Sequence, residues 1–350
     1  MIRRVQFSLN EANQGKLDTL DKVFKEGLRV VNLYIDHLWE KQDFASKFVT
    51  VKVETWMSAR MQQCLGKQAL EIVKSQRKRR KKTKPVLTRN VLNLDSRFLE
   101  TQFDLNSFDV WFKLGSIGNK ISLRLPSKKH AHFHNKMKNG GVLKKSCRLI
   151  RREAGYFVEL FVEKVKPLER AEGKTVGLDC GYKTMLADSE GVEHGVELEA
   201  VYEKIARKKQ GSKAFKRSLV ERNNTINRVV NKMSFKGVKA LVVEDLKNVK
   251  KNSKGRIRKT FNNKLQRWSY VRVLHKLALV CEELGLTFEK VNPAYTSQTC
   301  SLCGHVAKAS RKGKSFSCVS CGHTSDADLN AAVNIRNRGT YSFPALQPKQ

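Results

Sequence analysis

Apolar and polar residues alternate around Val5, Phe7 and Leu9, which predicts a short strand at the start of the chain. From Gly15 to Glu40 the period becomes helical, with Leu17, Leu20, Val23, Phe24, Leu28, Val31, Leu33, Tyr34 and Leu38 on the repeat. Helical spacing resumes from about Glu54 to Val73 and runs into a basic stretch. Seven of the nine residues from Lys74 to Lys82 are Lys or Arg, and Pro85 is expected to end the element. From about Val91 to Val165 short alternating runs take over, such as those around Phe108 to Leu114, Ile121 to Leu125 and Tyr156 to Val162. They read as strands of a small barrel or sheet. His130, His132 and His134 alternate within this stretch. No fourth ligand-type residue stands beside them, so a polar face meeting phosphate or solvent is expected, not a metal site.

After a polar joint from Pro167 to Gly173 the pattern changes again. Thr175-Val176-Gly177-Leu178-Asp179 is an apolar strand ending in a carboxylate, followed by a turn at Gly181 and a returning strand at Thr184 to Ala187. A charged helical segment spans about Glu197 to Met233. Lys239 to Glu244 is a second apolar strand with a terminal carboxylate. Leu265, Trp268, Val271, Leu274, Leu277, Cys281 and Leu284 mark one face of a long helix stopped by Gly285, and a further strand runs from Leu286 to Val291. Strands alternating with helices make this half an α/β domain.

Charge narrows the partners. Sixty-nine Lys and Arg against 33 Asp and Glu leave a net charge of +36, spread over every third of the chain, and such a field calls for a polyanion; nucleic acid fits better than a membrane surface. No run approaches the ~18 uninterrupted apolar residues that would span a bilayer, and Met1 to Val5 carries no apolar leader core. Cys64, Cys147, Cys180 and Cys281 show no pairing pattern, which fits a reducing compartment.

Two chemistries stand out near the C-terminus. Cys300 and Cys303 are separated by fourteen residues from Cys318 and Cys321, the spacing of a structural zinc ribbon in which four thiolates surround one metal. The run Asp326-Ala327-Asp328-Leu329-Asn330-Ala331-Ala332 then opens a small-residue helix and offers carboxylates, which suit harder ions. Asp179, Glu244 and one acid of this run come from separate elements, and two of the three terminate buried strands. Carboxylates gathered there need cations to neutralise them, and two divalent ions about 4 Å apart can activate water and stabilise the leaving oxygen of a phosphodiester. Spacing alone does not choose between Asp326 and Asp328: residues two apart cannot share a helix face, so one caps the helix and the other reaches the metal.

Four pieces carry a family resemblance: Gly177-Leu178-Asp179-Cys180-Gly181, Val243-Glu244-Asp245-Leu246, Asn292-Pro293-Ala294-Tyr295-Thr296-Ser297-Gln298-Thr299-Cys300, and the second cysteine pair with Asp326 to Ala332. In their order and spacing the chain resembles the TnpB proteins of insertion sequences, ancestors of compact type V CRISPR effectors. The match is strong from about Lys174 to Arg338 and architectural before it.

The resemblance implies a RuvC-like (RNase H-like) α/β nuclease domain over 171–299 and 323–340, with the zinc ribbon inserted at 300–322. It further implies a wedge-like β-barrel over 1–10 and 88–170, interrupted by a helical recognition insert at 11–87, and a tail at 341–350. Asp179, Glu244 and Asp328 would be the catalytic triad, holding two Mg²⁺ or Mn²⁺ ions. The implied activity is RNA-guided cleavage of double-stranded target DNA, with a guide RNA from the transposon end, by a monomer or a dimer in a bacterial or archaeal cytoplasm near the nucleoid. Lys247, Lys250, Lys251, Lys254, Arg256, Arg258 and Lys259 follow the Glu244 strand and would guide a single strand or form a solvated loop. The family often carries Arg between the last two acids, where this chain has Ala327, a change that removes no metal ligand. A CRISPR effector and a non-cleaving repressor are the alternatives.

Overall fold

The computed structural model describes residues 1–41, 49–80, 83–105, 107–138, 140–247, 249–252 and 258–340. Lys81, Lys82, Lys254 and Arg256 of the basic runs and the tail 341–350 lie outside the described residues. The chain divides into two compact units, Met1–Val165 and Lys166–Gln350. No helix among the described residues is long and apolar enough to cross a membrane.

In the first unit β1 (Ile2–Ser8) is followed by α1 (Gln14–Lys41) and α2 (Ala59–Arg77). Then come β2 (Val91–Asp95), β3 (Leu99–Leu105), β4 (Phe108–Leu114), β5 (Leu123–Ser127), α3 (Ala131–Met137), β6 (Val142–Arg152) and β7 (Gly155–Glu163). Among the described residues these strands pair as two antiparallel sheets, in the orders β1-β7-β6-β2 and β3-β4-β5, and not as the one continuous barrel that the alternating runs left open. The helical pair interrupts the strands in sequence, yet it shares their core: Phe24 and Leu65 are buried in one cluster with Phe7, Leu92 and Phe112. Each such side chain contributes about 1.5–3 kcal/mol by leaving water.

Local chemistry shifts several expected boundaries. Ser58, whose hydroxyl accepts from the Met61 N–H at 3.2 Å, starts α2 later than its apolar spacing does. The helix already ends at Arg77, within the run of like charges and well before Pro85. The three histidines lie on and beside a helix, not a strand. His130 caps α3, its Nδ1 accepting from the Phe133 N–H at 3.2 Å, so Nε2 carries the proton and donates to the Gln6 carbonyl at 2.9 Å. His132 contacts the Arg4 carbonyl. Two of the three therefore fasten α3 to β1.

The second unit contains β8 (Lys174–Asp179), β9 (Leu186–Asp188), β10 (Glu193–His194), α4 (Leu198–Ala206), α5 (Lys213–Lys232), β11 (Val238–Glu244), α6 (Val249–Asn252), α7 (Lys259–Arg267), α8 (Tyr270–Leu284) and β12 (Thr287–Val291). The small strands β13 (Arg311–Lys312), β14 (Ser315–Ser317) and β15 (Thr324–Asp326) precede α9 (Ala327–Thr340). The main sheet has the order β10-β9-β8-β11-β12, with β8, β11 and β12 parallel, β9 antiparallel to β8, and β10 antiparallel to β9. The charged segment read as one helix is two, parted by Gly211 at φ +84° and restarted by Ser212, whose hydroxyl accepts from Phe215 N–H. The long helix ending at Gly285 is likewise two, broken at Trp268 and Ser269.

Alternation on the strands decides what each face of this sheet meets. Val176, Leu178, Leu241 and Val243 point into a core shared with α4, α5 and α8, whereas Val242 packs against Ile335 of α9 on the opposite side. Gly177 also faces α9, so closely that a Cβ there would lie 2.1 Å from the Ala332 carbonyl oxygen. Overpacking of this kind costs about 1–3 kcal/mol. Gly177→Ala is thus expected to lower the unfolding free energy measured by urea titration by an amount in that range and to push α9 off the sheet; an unchanged unfolding free energy would contradict the close approach.

Candidate active site

The strand ends bring two acids together. β8 and β11 run parallel with Leu178 opposite Val243, so Asp179 and Glu244 are the next residues of adjacent strands, at the carboxyl edge where open α/β sheets place functional groups. Asp179 lies two residues beyond Gly177, and Glu244 two beyond Val242, so both project to the α9 face.

The helix brings the third acid. Two strand residues advance about 6.6 Å and four helix residues about 6 Å, and Ala332 sits against Gly177, so Asp328 stands level with Asp179. Asp326 does something else. Its Oδ1 accepts from the N–H groups of Asp328 at 2.8 Å and Leu329 at 3.0 Å, which makes it the cap of α9. The choice left open by spacing is resolved for the cap, and Asp328 faces the other two acids.

Electrostatics reflect the crowding. Burial, followed by the charges of Glu244 and Asp328, pushes the Asp179 carboxyl up to about 7. Burial also raises Glu244, opposed by a hydrogen bond from the Thr296 hydroxyl and by the charges of Arg338 and Arg311. Asp328 is held by the guanidinium of Arg311 at 2.9 Å, with the Lys314 ammonium 3.8 Å away. Among the described residues only the four cysteines bring three or more ligand atoms within 4.8 Å of one another; the three acids stand farther apart, with Arg311 against one of them.

A polar stripe on α9 organises the remaining motif. Asn330 Nδ2 donates to the Thr299 carbonyl at 2.8 Å while its Oδ1 accepts from Ser301 N–H at 2.9 Å. Asn334 donates to the carbonyls of Thr296 and Thr299, and Arg338 to those of Asn292 and Ala294. These residues, four apart on one helix face, clasp the segment that carries Thr296. The helix presenting Asp328 therefore also fixes the hydroxyl that orients Glu244.

The cysteines meet as their spacing predicts. Cys300 and Cys321 Sγ atoms lie 3.8 Å apart and those of Cys303 and Cys318 3.6 Å apart, against about 3.8 Å between thiolates placed tetrahedrally at a 2.3 Å metal–sulfur distance. Backbone N–H donation, first from Cys321, lowers the Cys318 thiol to about 6, which favours the ligating thiolate. Both pairs have the sequence Cys-x-x-Cys-Gly-His. In each the glycine has positive φ, +75° at Gly304 and +72° at Gly322, and its N–H donates to the first cysteine's carbonyl. The repeat is visible in the sequence itself. Ala327 is fully buried beside Cys300, Phe316 and Cys318, a place too tight for an arginine side chain. Thr296, Arg311 and Lys314 were not anticipated, and the two cations carried no signal among 69 basic residues. In the basic run after Glu244, Lys250 donates to the Gln266 carbonyl at 3.0 Å and is tied to the protein's own backbone.

Parts of the chain are similar to known proteins. Residues 270–335 match the family model described as Cas12f1-like, TNB domain. Over 115 residues the chain is 36% identical to a CRISPR-associated endodeoxyribonuclease Cas12f1 of Sulfoacidibacillus thermotolerans, covering 32% of this chain and 25% of that protein. It is 32% identical over 112 residues to the TnpB-like protein aq_aa05 of Aquifex aeolicus (31% and 36%) and 34% identical over 111 to a putative RNA-guided DNA endonuclease InsQ of Escherichia coli (28% of each). The matches thus span about a quarter to a third of these relatives. A solved Cas12f1–sgRNA–target DNA complex contains a chain with the same fold, at a TM-score of 0.62 and 15% identity, covering 93% of this chain and 84% of that one. With its motifs in order and its relatives Cas12f1 and TnpB-like, the chain resembles the TnpB family over this part of its length.

Proposed function

We propose that the protein is an RNA-guided, divalent-metal-dependent DNA endonuclease encoded by a transposable element. The observation that carries this reading is the meeting of Asp179, Glu244 and Asp328 on one face of the sheet, where burial and then the other two acids raise the Asp179 carboxyl to about 7. Two Mg²⁺ or Mn²⁺ ions bound there would supply Lewis acidity, water activation and charge neutralisation for phosphodiester hydrolysis. The three carboxylates are hard oxygen donors that fit such ions. Thr296 holds Glu244 in place, and Asp326 keeps α9 capped so that Asp328 keeps its position. Arg311, which pairs with Asp328 here, would be placed to meet a substrate phosphate if ions took over that carboxylate. The four cysteines hold structural zinc, anchoring Arg311 and Lys314 next to the acids.

In this reading the strands of the first unit form a wedge-like domain and α1 and α2 a recognition insert, and the +36 charge neutralises a guide RNA and the double-stranded DNA it pairs with. The identity with Cas12f1 favours a second reading, a compact CRISPR effector. A transposon end beside the gene supports the first, a repeat array the second.

Protein purified with its RNA should cut matched DNA only with Mg²⁺ or Mn²⁺, and Asp179→Ala should reduce cutting by at least 10³-fold, on the order of a lost metal ligand, while leaving DNA binding intact. Undiminished cleavage by this variant would sink the assignment.

The raised Asp179 pKa has a thermodynamic counterpart. Between about pH 4 and 7 the unfolded chain releases a proton that the folded protein retains, so the stability of the metal-free protein falls as pH rises through this window. Asp179→Asn should therefore raise the metal-free Tm at pH 8 by several degrees and change it little at pH 4. A lower Tm at pH 8 would mean that the ionised carboxylate is stabilising.

Zinc content is the third check. Cys318→Ser should lose bound zinc and lower the unfolding temperature together, because metal binding and folding of this segment are coupled. A variant that lacks zinc but melts like the parent would contradict a structural role.

A further inference from the structure

A cavity of about 760 Å³ opens beside Asp179 and Asp328, and most of its wall is not of the kind that hydrolysis requires. Arg311 and Lys314 line it near the acids, but Tyr182, Leu265, Trp268 and Phe261 give it an aromatic and aliphatic surface. The volume is far larger than hydrated ions need and lies within the range of sites for flat organic groups.

The wall is rigid where it meets the catalytic strand. Trp268 Nε1 donates to the Gly181 carbonyl at 2.8 Å, tying its ring to the turn that follows Asp179. Tyr182 is backed by Tyr202, their ring centres 4.9 Å apart and the planes 27° from parallel, and the Tyr202 hydroxyl is fixed by the Ser269 N–H at 3.1 Å. Phe261 is the exception: the residue is 62% exposed, a large apolar side chain left to water beside a charged site. The Lys264 ammonium lies 5.8 Å from the Tyr182 ring centre.

An occupant must offer a flat apolar face to the aromatic wall and negative charge to the cations next to it. A nucleobase attached to its phosphodiester does both, and a base paired within a duplex does not, because its faces and edges are already occupied. We propose that this cavity accepts one unstacked base of a single DNA strand, seated next to the phosphodiester that lies at the carboxylates, with Phe261 closing over it. The inference rests on the nuclease reading. It adds a base-accepting subsite, so that cutting depends on a base being present next to the scissile bond.

The test uses the full RNA-loaded chain in the Asp179→Ala background, bound to guide-matched DNA that carries 2-aminopurine at successive positions of one strand. Stacking quenches this base, so strong quenching at one position is expected, with most of it lost in Phe261→Ala and recovered in Phe261→Tyr. In the metal-loaded parent an abasic site at the same position should slow cleavage about tenfold, and in Phe261→Ala it should add little further slowing. Phe261 is exposed, so its replacement does not threaten folding. Quenching that ignores Phe261, quenching at no position, quenching of an RNA strand only, or cleavage indifferent to the missing base would each overturn the subsite. Metal-dependent cutting with no base dependence would leave the nuclease reading standing, whereas quenching with no cutting by the parent would do the reverse.

Discussion

The closeness of α9 to β8 is the constraint on which the second unit depends. Only a residue without a Cβ fits at position 177, and the helix lying against that glycine sets Asp328 level with Asp179. The same helix face supplies Asn330, Asn334 and Arg338, which fasten the segment bearing Thr296, and Thr296 in turn holds Glu244. One packing contact therefore orders all three acids, two of them through hydrogen bonds and register and one directly.

Such an arrangement is costly without cations. Burial, and then the neighbouring acids, raise the Asp179 carboxyl to about 7, and Arg311 and Lys314 are set against Asp328. Both cations come from the hairpin between the cysteine pairs, with Lys314 just past the turn at Gly313. The cysteine module thus has an electrostatic part to play as well as a structural one. Its fold positions the charges that compensate the acids. This is a site built at some expense to stability, as functional sites commonly are.

Much of this was legible in the sequence because it rests on local rules. Strand-terminal acids, paired cysteines, the stop at Gly285 and the α/β alternation all follow from periodicity and spacing, and the observed elements match them. The misreadings have physical causes. Apolar periodicity runs on across the helix breaks at Gly211 and at Trp268 and Ser269, so spacing does not mark them. Alternation among His130, His132 and His134 mimicked a strand, although the first is a cap whose second nitrogen reaches another strand 124 residues away in sequence. Thr296, Arg311 and Lys314 act through tertiary contacts; the motif around Thr296 marks the segment but not the hydroxyl's role, and nothing in the local sequence distinguishes the two cations. The cavity lined by Tyr182, Trp268 and Phe261 is likewise assembled from distant segments, and helical spacing alone marked Trp268 as core.

The central claim is that the three carboxylates together form a divalent-ion site in which incoming metal replaces Arg311. Anomalous diffraction from crystals of the protein soaked in Mn²⁺ tests it directly. Manganese peaks in contact with Asp179, Glu244 and Asp328, with the Arg311 guanidinium moved off Asp328, are the predicted result. Manganese bound elsewhere or not at all, with the Arg311 to Asp328 pair unchanged at saturating metal, would contradict it.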